Sequence, residues 1–237
     1  MAGLVEAATA IMSGAERRLE TIANNIANVS TPGFKRQMSF SEALSGARAG
    51  GAAGLPSLSQ RTDLTQGRMS STGNPLDLAI GGPGFFQLRA GDKIVYSRQG
   101  QFRLAGDGTV VNAQGYVLQQ AGGGDLVLER ASVEILADGN VIDGGRPVGR
   151  IAVVAPGPDS KPAALGGSVF ELPGGGEEVA APELRQGMVE ASNVSMGDEM
   201  TGMMGTLRQA EVGARLVQVY DDLLGRAISS FGQGGGR

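Results

Sequence analysis

Leu4, Ala8, Ile11, Ala15, Leu19, Ile22, Ile26 and Val29 recur in steps of three or four. That spacing puts them on one face of a helix. The pattern stops at Ser30-Thr31-Pro32-Gly33. Ser and Thr compete for local backbone hydrogen bonds, Pro lacks an N–H, and Gly accepts positive φ. A helix from Gly3 to Val29 is therefore predicted, roughly 40 Å long at 1.5 Å per residue. Its apolar stripe is narrow and requires a partner helix, which constrains everything downstream.

The partner is at the other end of the chain. Met200, Met203, Leu207, Ala210, Ala214, Val217, Asp221, Leu224, Ile228 and Phe231 again alternate by three and four, with only Asp221 polar. This is the a/d seam of a coiled coil. Ser195, with Asp198 and Glu199 after it, reads as an N-cap followed by an acidic first turn. The expected fold is α+β. N- and C-terminal amphipathic helices form a coiled-coil-like domain, with a central all-β, antiparallel, sandwich- or barrel-like domain between them in the chain.

The expected organisation follows the chain. Residues 1–33 form the N-terminal axial helix and residues 34–60 an extended or flexible link, Ala/Gly-rich from Ser45 to Gly54. Residues 61–186 form the β domain, and 187–237 the approach, the C-terminal helix and a mobile tail from Gly232. In the β domain, Phe102–Leu104 faces Thr109–Val111 across Asp107-Gly108, and Val133–Leu136 faces Val141-Ile142 across Asp138-Gly139. Short apolar runs around Asp-Gly are hairpin signals. Pro156 to Gly167 reads as a loop.

Composition excludes several chemistries. The 237 residues include no cysteine and no histidine. Thiolate metal sites, disulfides and the commonest general base are thus absent. A net charge of -4 offers no large attraction to nucleic acid or anionic membrane. No run approaches the ~18 apolar residues of a membrane span. The first residues lack a basic segment ahead of a long apolar core, so a cleaved secretory signal is not expected. Phosphate-cradling glycine motifs are missing too. Asp107 and Asp138 could be paired on paper as catalytic carboxylates, but each stands beside glycine at a predicted turn. Asn28-Val29-Ser30 and Asn193-Val194-Ser195 match the glycosylation pattern at helix boundaries, where capping is the better reading. The methionines at 196, 200, 203 and 204 have the spacing of seam packing. No cofactor, metal or catalytic residue is expected.

Four separated blocks resemble a known family. They are Ile22–Arg36 (IANNIANVSTPGFKR), Asn74–Ile80 with Gly84-Phe85-Phe86, Tyr96–Gly100 (YSRQG), and Gly187–Val194 with the helix after it. Together they resemble the bacterial flagellar rod and hook axial proteins. The short length and reduced middle are most similar to members that build the proximal rod, with distal-rod or hook-type members the alternative. The resemblance implies a structural subunit that polymerises through its terminal helices into a helical drive shaft carrying torque and enclosing an export channel. The implied partners are copies of itself, other rod proteins, surrounding ring proteins and the type III export apparatus. The implied place is the flagellar basal body, crossing the periplasm. The signature is carried by Ser30, Thr31, Pro32, Gly33 and Phe34.

Candidate assembly residues are Leu4, Ile11, Leu19, Ile22, Asn24, Asn25, Ile26 and Asn28 on the first helix. On the second they are Met200, Met203, Leu207, Ala214, Val217, Leu224 and Ile228. Asn24, Asn25 and Asn28 are poor helix formers, which allows either a fraying helix end or amides bonding to neighbouring subunits. A reading of another class also stands: an oligomeric β-domain binding or adhesion module with a helical stalk. Helices at both ends favour the structural reading, since a stalk needs one end only. A hydrolase is the most distant alternative.

Overall fold

The computed structural model describes residues 2–42, 57–157 and 160–234. The link expected over Ser45–Gly54 and the side chains of Leu4 and Ile228 lie outside the described residues. The chain is α+β, with a helix at each end and an antiparallel β-rich body between. It divides into two compact units. One holds residues 1–27, 37–61 and 195–237, the other residues 28–36 and 62–194.

The first unit is built on α1 (Ala2–Ala27) and α2 (Met196–Gly234). α1 stops just short of Val29. α2 begins after Ser195, whose carbonyl accepts the Glu199 N–H at 3.0 Å, with Asp198 and Glu199 in its first turn. It runs past Phe231 to Gly234, and residues 235–237 lie outside the described set. The two helices are antiparallel: Asn25 bonds to Glu199 and Arg18 to Gln209, and Met12 lies against Gly213. Small and polar residues close the seam. Ala8, Ala15, Thr206 and Gly213 are buried, and a Cβ at Gly213 would lie 2.8 Å from Met12 Cγ. Larger apolar residues of the expected stripes sit at its margins. Strand Gln37–Glu42, within the expected link, pairs with Ser57–Thr62, which runs across its end, as a two-stranded sheet.

The second unit carries the main core. Its largest sheet runs, neighbour to neighbour, through Ala163–Gly166, Val169–Glu171, Lys93–Ser97, Phe85–Ala90, Val117-Leu118, Val110–Asn112 and Phe102–Leu104. Val153–Pro156 pairs with Phe85–Ala90 and with Gly176–Glu178. Glu134-Ile135, Asn140–Asp143 and Arg146–Arg150 form a three-stranded sheet. Two short ladders pair Glu183–Gln186 with Leu78–Gly81, and Met188–Glu190 with Met69–Ser71. Leu78, Ile80, Phe86, Leu88, Leu118 and Val141 fill the centre, and Phe86 meets Phe102 edge-on at 5.3 Å. Inside the stretch expected to be a loop, Ala163–Gly166 is an edge strand paired with Val169–Glu171. All four of its residues are exposed and its register is broken between Ala164 and Gly166, so no alternation marks it in the sequence.

Both Asp-Gly turns form as the sequence predicts. Gly108 and Gly139 have φ of +84° and +88°. Asp107 Oδ1 accepts the Thr109 N–H at 3.0 Å and its hydroxyl at 2.7 Å, and Asp138 Oδ1 accepts the Asn140 N–H at 3.1 Å. These bonds hold the Asp107 carboxyl below the usual carboxylate range, the Thr109 hydroxyl first among them. A Cβ at Gly108 would also lie 2.9 Å from the Leu128 carbonyl oxygen. Gly108→Val should therefore destabilise the β unit by at least the ~1–3 kcal/mol of a strained left-handed residue. Asp107→Asn keeps the accepting oxygen and should be close to neutral. Thermal unfolding of the two variants checks this; equal midpoints would remove the turn from the stability of the unit.

Candidate functional site

The segment after α1 is fixed by backbone contacts that only its sequence permits. Thr31 N–H donates to the Asn28 carbonyl at 3.1 Å, turning the chain into Pro32 and Gly33. Gly33 has φ +69°, and a Cβ there would lie 2.3 Å from Arg98 C and Gln99 N. Its N–H donates to the Glu190 carbonyl at 2.7 Å. Phe34 and Lys35 follow, each 1% exposed.

Lys35 ends in a buried charge cluster. Its Nζ donates to Glu190 Oε1 at 2.5 Å and to the Thr65 carbonyl at 2.7 Å. Glu190 Oε1 also accepts the Gly67 N–H at 2.8 Å, and Oε2 accepts Arg98 Nη1 at 3.2 Å. Arg98 Nη2 reaches the Gly82 carbonyl at 2.7 Å, and the guanidinium lies over the Phe85 ring at 5.5 Å. Burial pushes the Lys35 ammonium below the ordinary lysine range, and the Glu190 carboxylate opposes that shift. Arg98 is displaced the same way for the same reason. One carboxylate thus compensates two buried cations. Nearby, Asn193 Oδ1 accepts the Arg36 N–H at 2.7 Å, while its Nδ2 donates to the Asp63 and Thr65 carbonyls. Residues 32–36, 96–100 and 187–194, far apart in sequence, meet in this cluster. Lys35, Arg98, Glu190 and Asn193 were not among the candidate residues. The signal that could have found them is that each of these blocks carries a charged or amide residue, Lys35, Arg98, Glu190 and Asn193.

The helix unit presents a different kind of site. Asn25 is 1% exposed and works inside the chain. Its Oδ1 accepts the Gln37 N–H at 2.9 Å, and its Nδ2 donates to the Gln37 carbonyl at 2.8 Å and to Glu199 Oε2 at 3.2 Å. Asn24 is exposed and Asn28 half-buried. Leu19, Ile22, Ile26, Met203, Ala214, Val217 and Leu224 are half-buried, while Ile11, Met200 and Leu207 are exposed. Of the signature, Gly33 and Phe34 are buried, Thr31 and Pro32 half-buried, and Ser30 exposed. Met12, Met196, Met204, Val212, Val219 and Leu223 add further exposed apolar surface to the helices. Contiguous patches of that kind mark interaction surfaces. Among the described residues no acidic, histidine or cysteine cluster suited to a metal occurs, and no helix is long and apolar enough to cross a membrane.

Comparison with known proteins converges on one family. Residues 7–35 match the model of the flagella basal body rod protein, residues 79–142 that of the flagellar hook protein FlgE/F/G D1 domain, and residues 185–230 that of the flagellar basal body rod FlgEFG protein C-terminal region. The chain is 32% identical over 227 positions to the flagellar basal-body rod protein FlgF of Caulobacter vibrioides, covering 92% of this chain and 93% of that one. It is 30% identical over 250 positions to the rod protein FlgG of Bacillus subtilis, covering 92% and 95%. FlgF of Mesorhizobium japonicum is 30% identical, with 92% of each chain covered.

The charge cluster makes an ordered expectation. Glu190→Ala leaves two buried cations without a counter-charge and should cost about 3–5 kcal/mol. Lys35→Met leaves Glu190 bonded to Arg98 and the Gly67 N–H and should cost clearly less. Denaturant unfolding of the full chain reads both; a Glu190→Ala loss below that of Lys35→Met would overturn the assignment of Glu190 as the hub.

Proposed function

This chain belongs to the family of flagellar basal-body rod and hook proteins, and from that premise we propose that it is a structural subunit of the proximal rod. Its role is structural in this reading, and Asp107 and Asp138, the carboxylates weighed for chemistry in the sequence, accept turn hydrogen bonds. Its terminal helices, α1 and α2, pair in coiled-coil fashion into the axial part of the subunit. Neighbouring copies and other rod proteins bury the remaining helix surface. A head-to-tail contact that does not close produces a helical assembly. That assembly transmits torque and lines the export channel. The subunit resides in the flagellar basal body, crosses the periplasm, lies within the surrounding ring proteins, and leaves the cell interior through the type III export apparatus.

The observation that carries this reading is the apolar surface left exposed on both helices by their mutual packing. A self-sufficient stalk for a binding module would have no use for it. The proximal position is favoured because alignment with the Caulobacter FlgF spans 227 positions, against 250 for the Bacillus FlgG, at the same 92% coverage of this chain. The shorter alignment requires fewer inserted residues.

The assembly residues proposed from the sequence can be tested at Leu207, which is 47% exposed in the single chain. Burial of a leucine in an interface is worth about 1.5–3 kcal/mol. A lysine there loses that contribution and places an unpaired ammonium in the contact. Leu207→Lys should leave the melting of the β unit unchanged and abolish incorporation into purified basal bodies. Normal incorporation would remove Leu207 from the packing face, and absence of the wild-type chain from basal bodies would reject the rod reading.

A further inference from the structure

α2 carries two separate apolar patches besides the face that meets α1. Met196, Met200, Met204 and Leu207 form the first, and Val212, Val219 and Leu223 the second; every one of these side chains is exposed. At 3.6 residues per turn, the first patch centres about 125° to one side of the buried Thr206–Gly213 direction, and the second about 110° to the other side. The helix thus has three contact directions: α1, patch one and patch two. Each patch spans the same length of helix, from 196 to 207 and from 212 to 223, and their centres are about 24 Å apart along the axis at 1.5 Å per residue.

We propose that the second copy of this chain in the assembly packs its α2 parallel to the first, with patch two of one copy against patch one of the next and a stagger of about 24 Å. The inference rests on the rod reading and specifies its contact. Two observations select this occupant. The patches match in length and apolar character, and each faces away from the helix's own partner. The charged residues bordering them then also fall into register. With a 16-residue offset, Leu207 meets Leu223 of the next copy, Arg208 faces Asp222, and Glu211 faces Arg226, each pair lying on corresponding sides of the contact when both helices are turned patch to patch. Arg208, Glu211, Asp222 and Arg226 are exposed, and among the described residues none of them enters a salt bridge. Arg215 borders the same contact beyond Glu211. The interface is heterologous, because each copy uses one patch upward and the other downward. It propagates instead of closing into a dimer.

The absence of native cysteine makes the contact directly readable. Full-length chains carrying Leu207→Cys and Leu223→Cys are produced together in flagellated cells lacking the wild-type copy, and the basal bodies are purified and oxidised. The expected result is a disulfide-linked ladder at multiples of the chain mass when one chain carries both cysteines. Mixed single variants should give a single dimer band, and either single variant alone no self-linked product. Leu207–Leu207 linkage would overturn the parallel stagger in favour of a two-fold contact. Linkage only to a chain of different mass would overturn the choice of a second copy. Should the cysteine variants fail to assemble, charge reversal provides the second reading. Arg208→Asp alone is expected to abolish incorporation and Arg208→Asp with Asp222→Arg to restore it; failure of the pair to restore overturns the register. Basal bodies that contain the wild-type chain but yield neither linkage nor rescue reject this contact alone, whereas basal bodies without the chain reject the rod reading beneath it.

Discussion

The Glu190 carboxylate, held between the Lys35 ammonium and the Arg98 guanidinium, is the constraint on which the β unit depends. Carboxylates are rarely buried without full compensation, and here the carboxylate and its two compensating cations come from three segments widely spaced in the chain. Lys35 belongs to the stretch that leaves α1, Arg98 to a central strand's exit, and Glu190 to the strand that leads to α2. The same residue adds backbone recognition, since the Gly33 N–H bonds to its carbonyl. The incoming and outgoing chain are thereby fixed to one another inside the β unit. Gly33 is indispensable to that arrangement because any Cβ would collide with the backbone of Arg98 and Gln99.

The helix unit follows other rules. Its internal seam is closed by Ala8, Ala15, Thr206 and Gly213, which bring two backbones close without large side chains. Large side chains are therefore released for surfaces elsewhere. An Asn–Glu contact at one end, Asn25 to Glu199, fixes the longitudinal register that small apolar residues alone leave loose.

Much of this architecture was legible in the sequence, and the illegible parts share a cause. Both long helices declare themselves by three-and-four spacing, and the two Asp-Gly turns by composition. The inner seam does not, because periodicity reading weighs Leu, Ile and Met, whereas Ala, Gly and Thr make the closest approach. The charge cluster was hidden by distance: Lys35 and Glu190 are 155 residues apart, and a charged side chain read locally belongs on the surface. The strand Ala163–Gly166 escaped because an exposed edge paired through its backbone leaves no alternating pattern. The function lay in the spaced blocks. Their physical reason, convergence on one buried carboxylate, lay only in three dimensions.

Asn25 grips residue 37 through the main chain, accepting from its N–H and donating to its carbonyl. The amide therefore recognises a peptide unit and is blind to the side chain attached to it. The contact asks of position 37 only an N–H and a carbonyl, so it excludes proline there and no other residue. Position 25 has no such freedom: aspartate would lose the donor and set a second carboxylate against Glu199. The two ends of one contact thus place unequal chemical demands, and the specificity of the joint falls on a single side chain.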